Sequence, residues 1–137
     1  LIFVEFLSGA LTAGLNAGYI SSTWPWMGGR FFPAGVNGAD GWWNAMLNNH
    51  YLIHFIHRWW AWVVVVALVI LSRRVRGIDR WASIAIHSAF GTQILLGIAT
   101  VMTTMNITLA VLHQAVGAVL VFTVVWGVHI LGRNSSR

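Results

Sequence analysis

Apolar residues fall into four long runs along this chain, separated by polar, aromatic or basic stretches. Each run is close to the ~20 residues that a helix needs to cross a bilayer. In lipid, only helices and closed barrels satisfy their own backbone groups. The pattern predicts spans over about residues 1–20, 51–71, 81–102 and 107–131, with an outer loop over 21–50. The expected fold is therefore all-α and integral to the membrane: one four-transmembrane-helix bundle over residues 1–137, made of two antiparallel hairpins.

The hairpins read as a repeat. Glu5, Gly9 and Thr12 in the first run have the same spacing as Gln93, Gly97 and Thr100 in the third. Because these two spans run in the same direction, the repeat is parallel, with a pseudo-two-fold axis along the membrane normal.

Composition agrees with the runs. Hydrophobic residues make up 58% of the chain and charged residues 8%, too few to wet a soluble domain of this size. The net charge of +5 comes from eight Arg, with no Lys, opposed by Glu5, Asp40 and Asp79. A basic chain can indicate nucleic acid, but here the arginines follow the positive-inside rule. Arg73, Arg74, Arg76 and Arg80 fall between the second and third runs, and Arg133 and Arg137 follow the fourth. That excludes a nucleic-acid partner, makes lipid the expected surroundings and places those arginines on the cytoplasmic side. Arginine without lysine points to a GC-rich bacterium. Zero Cys removes disulfides and thiolate metal sites, so metal chemistry falls to His. Residue 1 already lies inside an apolar run, without an initiating Met or a basic leader, which reads as a cut in a longer protein.

The loop over 21–50 carries Trp24, Trp26, Phe31, Phe32, Trp42 and Trp43. Such rings settle at the membrane interface. They can equally lid a site beneath them, and the sequence leaves both roles open.

Six histidines remain, most of them inside apolar runs, where ionisable groups are functional by default. His57 and His113 each lie about six residues below the outer end of a span, roughly 9 Å deep at ~1.5 Å per residue. The pseudo-two-fold makes them equivalent, so they can face each other as axial ligands of one haem. Ala61 and Gly117, four residues on, leave room on the same face. The alternative is helix packing with each His as a hydrogen-bond donor. His129 lies 16 positions beyond His113, about 160° round the helix at ~100° per residue, so the two cannot share a core. His87 and His129 are read as helix-end or interhelix polar residues, and His50 as interfacial. His54, one turn outward of His57, can hydrogen-bond a haem propionate or exchange protons, and Arg58 can pair with a propionate. Arg58 can instead pack on another span or snorkel outward. Glu5 is read as joining helices.

The segments Gly9-Ala-Leu-Thr-Ala-Gly-Leu-Asn-Ala-Gly18, Thr23-Trp-Pro-Trp-Met-Gly28, His54-Phe-Ile-His-Arg-Trp-Trp60 and Leu112-His-Gln-Ala-Val-Gly117 resemble, in order, the C-terminal half of the haem A synthase family. The resemblance implies half of an eight-span oxidoreductase in a bacterial inner membrane, or the mitochondrial inner membrane of a eukaryote. In that enzyme the N-terminal half oxidises the methyl group of haem O to the formyl of haem A. This half would hold a haem b through His57 and His113, with no catalytic residue of its own. The partners implied are the N-terminal half, haem O and haem O synthase; a homo-oligomer, or a half-length enzyme that dimerises, is also compatible. His54 stands where the family's C-terminal half more usually has Gln, and Glu5 where Gln is expected. Two rivals carry different functions: a stand-alone b-type electron-transfer cytochrome, and a structural bundle without haem.

Overall fold

The computed structural model of the chain describes residues 1–36 and 41–135. Of the residues singled out above, Asp40 and Arg137 lie outside them. Among the described residues the chain is helical: α1 (Ile2–Gly14), a 3₁₀ turn (Ala17–Ile20), α2 (Trp42–Asn48), α3 (His50–Arg76), α4 (Arg80–Met102) and α5 (Ile107–Ser135). Among the described residues, extended pairing is limited to one isolated bridge, Met27 with Arg30. Helices α3, α4 and α5 are long and apolar enough to cross a membrane, and α1 is a shorter apolar helix.

Side-chain caps set the starts of the long helices, supplying acceptors for otherwise unpaired first-turn N–H groups. Asn49 accepts from the Leu52 amide at 3.0 Å. Asp79 accepts from Trp81 and Ala82 at 2.9 and 3.0 Å, and Asn106 from Thr108 and Leu109 at 3.1 and 3.3 Å.

Two boundaries differ from expectation. The first apolar run does not continue as one helix to residue 20: α1 stops at Gly14, and Asn16 takes a left-handed conformation with φ 54°, a role Asn fills readily after a helix end. Arg73, Arg74 and Arg76, expected in a loop, instead occupy the last turn of α3. There cationic side chains complement the helix dipole, and Arg is a good helix former.

α4 packs on α5, α3 on both of them, and α1 on α3. The core between the long helices is Val64, Leu68, Ile86, Ala89 and Leu120. α5 comes close at Gly127, where a Cβ would stand 2.8 Å from Cδ1 of Ile86 and 3.4 Å from Cγ2 of Val75. Phe3, Leu95, Ile107 and Phe122 point outward, each at least 70% exposed, which suits lipid as the solvent.

Candidate functional site

The capped start of α3 brings His54, His57, Arg58 and Ala61 onto one side, at the i, i+3, i+4, i+7 spacing of a helix face. α5 does the same with Ala110, His113, Gln114 and Gly117. All eight line one cavity of about 440 Å³. The other walls are matched as well. Ile2, Glu5, Phe6, Gly9, Ala10, Thr12 and Ala13 line it from α1, and the residues at the same offset in α4, Phe90, Gln93, Ile94, Gly97, Ile98, Thr100 and Val101, line it opposite.

The backbone follows the same correspondence. Thr12 and Thr100 each donate their hydroxyl to the carbonyl four residues back, at 2.8 and 2.7 Å. α1 and α4 end alike: Leu15 on Leu11 and Thr103 on Ala99 at 3.0 Å, Asn16 on Ala13 and Thr104 on Val101 at 3.1 Å, with φ of 54° at Asn16 and 55° at Thr104.

His57 and His113 occupy equivalent walls. A Cβ on Gly9 would lie 3.0, 3.5 and 3.7 Å from Cε1, Nδ1 and Nε2 of His57, and a Cβ on Gly97 would lie at the same three distances from His113. Each imidazole thus rests on a glycine in the neighbouring helix. Nδ1 of His57 is 3.1 Å from Glu5 Oε1 and 3.2 Å from Ser8 Oγ. Nδ1 of His113 donates to the Gln93 carbonyl at 3.1 Å. With Nδ1–H given to oxygen acceptors, Nε2 carries the lone pair, which is the form an imidazole needs to bind iron. The Gln93 amide nitrogen lies 3.4 Å from Nε2 of His113. Gly117 also lines the cavity, but a Cβ there would first meet this Gln93 amide, at 3.2 Å.

His54 and Arg58 make the α3 wall of the cavity polar, facing Ala110 and Gln114 on α5. Arg58 Nη1 donates to the carbonyls of Thr23, Pro25 and Trp26 at 2.9, 3.1 and 3.3 Å. Its Nη2 lies 3.2 Å from His54 Nε2; a guanidinium only donates, so that His54 nitrogen accepts and Nδ1 bears the hydrogen. His54 Nδ1 and Arg58 Nε are buried without a hydrogen-bond partner, as are Glu5 Oε2 and Gln93 Oε1. Arg58 is 8% exposed and neither snorkels nor turns to lipid. The segment it holds is closed by Thr23, whose hydroxyl donates to the Trp26 carbonyl at 2.7 Å and accepts from the Gly28 amide at 2.9 Å. Trp24 reaches the cavity, while Trp26 packs tilted on Trp59 and Phe31 meets Phe55 edge-on and Trp59 at a tilt, all on α3.

The other histidines stay away from this cavity. His50 and His129 are exposed. His87 Nδ1 hydrogen-bonds Ser72 between α3 and α4, and Ser72 also meets the Ser83 hydroxyl at 2.9 Å. Among the described residues no group of three or more His, Asp or Glu forms a metal cage; the cavity presents a pair. Glu5 joins α1 to α3 through His57. The support given by Gly9 and Gly97 was not read from the sequence, although the repeat spacing had placed those glycines in equivalent positions.

A family model described as cytochrome oxidase assembly protein, COX15-CtaA, matches residues 1–125. The chain belongs to this family. The matched stretch contains every residue of the cavity. Among relatives in the cytochrome oxidase assembly family, Heme A synthase of Erythrobacter litoralis is 50% identical over 132 residues, covering 96% of this chain and 39% of the relative. That of Novosphingobium aromaticivorans is 47% identical, covering 96% and 40%, and that of Sphingopyxis alaskensis 44%, covering 99% and 39%. The chain therefore spans about two fifths of the length of these relatives. No solved structure matches it.

Proposed function

We propose that this chain is the haem b-carrying, C-terminal half of a haem A synthase, an oxidoreductase of haem A biosynthesis in a bacterial inner membrane. The single observation that carries the reading is the cavity between α3 and α5, lined by two histidines that rest identically on glycines and have Nδ1 occupied by oxygen. In this reading α1 and α3 form one antiparallel hairpin and α4 and α5 the other, so that the four helices make one multi-pass bundle around the cofactor.

The residues present fit a haem. His57 and His113 would hold its iron through Nε2, and Gly9 and Gly97 let the rings come close against the neighbouring helices. The apolar lining from Val64, Leu68, Ile94 and Ile98 keeps water away, and buried apolar surroundings of this kind set a haem's redox potential. Arg58 Nε and His54 Nδ1, buried and unpaired, would meet the propionates as charge-assisted and neutral donors. When bound, such a haem supplies one-electron transfer; oxidation of the haem O methyl group would belong to the N-terminal half, with no catalytic residue in this one. The partners proposed are that half, haem O and the haem O synthase that delivers it.

The test is haem extraction from a host that makes haem O but no haem A and expresses the full-length protein. Wild type should yield haem A, and His57→Ala or His113→Ala should accumulate haem O. Undiminished haem A in both variants would overturn the reading.

A further inference from the structure

The walls of the cavity correspond position by position, yet the two histidines are not held alike. Glu5 occupies the position of Gln93, and Ser8 that of Leu96. His57 Nδ1 therefore faces a carboxyl oxygen at 3.1 Å and a hydroxyl at 3.2 Å. The Ser8 hydroxyl gives its hydrogen to the Glu5 carbonyl at 3.0 Å, so it too meets His57 as an acceptor. His113 Nδ1 has only the backbone carbonyl of Gln93, and the Gln93 side chain turns to the other ring nitrogen. An acceptor on Nδ1–H orients an imidazole and raises its basicity at Nε2, and a carboxylate, the form in which Glu5 would act here, does so more strongly than a peptide carbonyl.

We propose that Glu5 is a positioning residue that makes the two histidines unequal. Acting through His57, it renders that ring the more electron-donating of the pair and holds the bound haem at a lower midpoint potential than Gln at the same position would. The inference rests on the reading that His57 and His113 hold a haem. Stronger donation from an axial nitrogen favours the ferric state. The substitution that would equalise the two sides is written in the chain itself, since Gln already stands at the equivalent position on α4.

The experiment is a potentiometric titration of the purified full-length protein, followed by the low-spin haem absorbance and by electron paramagnetic resonance. Glu5→Gln keeps the size of the side chain, so haem should be retained while the midpoint potential rises and the low-spin resonance shifts. Gln93→Glu should move the potential the other way, and the double exchange should return it towards wild type. Glu5→Ala, which removes the acceptor, should weaken haem retention by roughly 10–100-fold. A haem-loaded Glu5→Gln with wild-type potential and resonance overturns the inference and leaves the haem reading standing. If Glu5→Gln loses its haem, Gln93→Glu decides: a lowered potential supports the inference, an unchanged one overturns it. Wild-type protein without low-spin haem overturns both.

Discussion

A methyl group at residue 9 or residue 97 would press on a histidine ring at 3.0 Å, tighter than an ordinary van der Waals contact. Gly9→Ala and Gly97→Ala should each displace one imidazole by a few tenths of an ångström. The expected outcome is a folded protein whose haem band shifts or turns partly high-spin, read in the visible spectrum; an unaltered band in both would show that the glycines do not position the rings. Arg58 works differently, since one Nη1 serves three carbonyls of the Trp-Pro segment. Arg58→Ala removes the side chain that ties this segment to α3. Limited proteolysis within residues 21–36 should become faster, and a cleavage rate equal to wild type would show that Arg58 does not hold this segment. The two histidines were legible in the sequence because a polar ring inside an apolar run is costly enough to demand a reason. Their glycine supports were not, since glycine in a membrane helix reads equally well as helix packing. The engagement of Arg58 with a loop more than thirty positions away is a tertiary contact that local spacing does not encode.

Hydropathy was enough to find the three long helices, because an apolar stretch of that length has few other uses. Their ends depended on finer chemistry: Asn49, Asp79 and Asn106 as caps, arginines completing α3, and Asn16 turning left-handed to end α1 earlier than apolar character alone suggested. α2 lies inside what read as an irregular aromatic loop, where seven helical residues leave too short a pattern to recognise. The packing of α5 at Gly127 supplies a test at this scale. Gly127→Leu inserts a side chain where a Cβ already meets Ile86 at 2.8 Å, and overpacking of this kind costs about 1–3 kcal/mol. Thermal unfolding in detergent should show a lower midpoint than wild type; an unchanged midpoint would mean that α5 does not sit against α3 and α4 there.

Across the whole molecule, two walls of the cavity are related position by position, while the connections differ: a long aromatic segment joins α1 to α3, and a tight turn joins α4 to α5. Only three matching positions revealed this relation in the sequence, since most of the paired wall residues, such as Ala10 with Ile98, share a place and not a type. The absence of Cys from the chain makes the proposed topology easy to examine. Single cysteines at Gly77 and at Thr104 should be labelled by an impermeant maleimide from opposite faces of sealed vesicles, Gly77 from the cytoplasmic one; labelling from one face would contradict the hairpins. The central claim, that His57 and His113 together hold a haem, is tested most directly by a reduced-minus-oxidised visible spectrum with pyridine haemochrome typing on detergent-purified protein. Wild type should show a low-spin b-type signal that is lost or turned high-spin in both His57→Ala and His113→Ala. Wild-type protein without haem, or variants that keep the wild-type low-spin spectrum, would contradict the account.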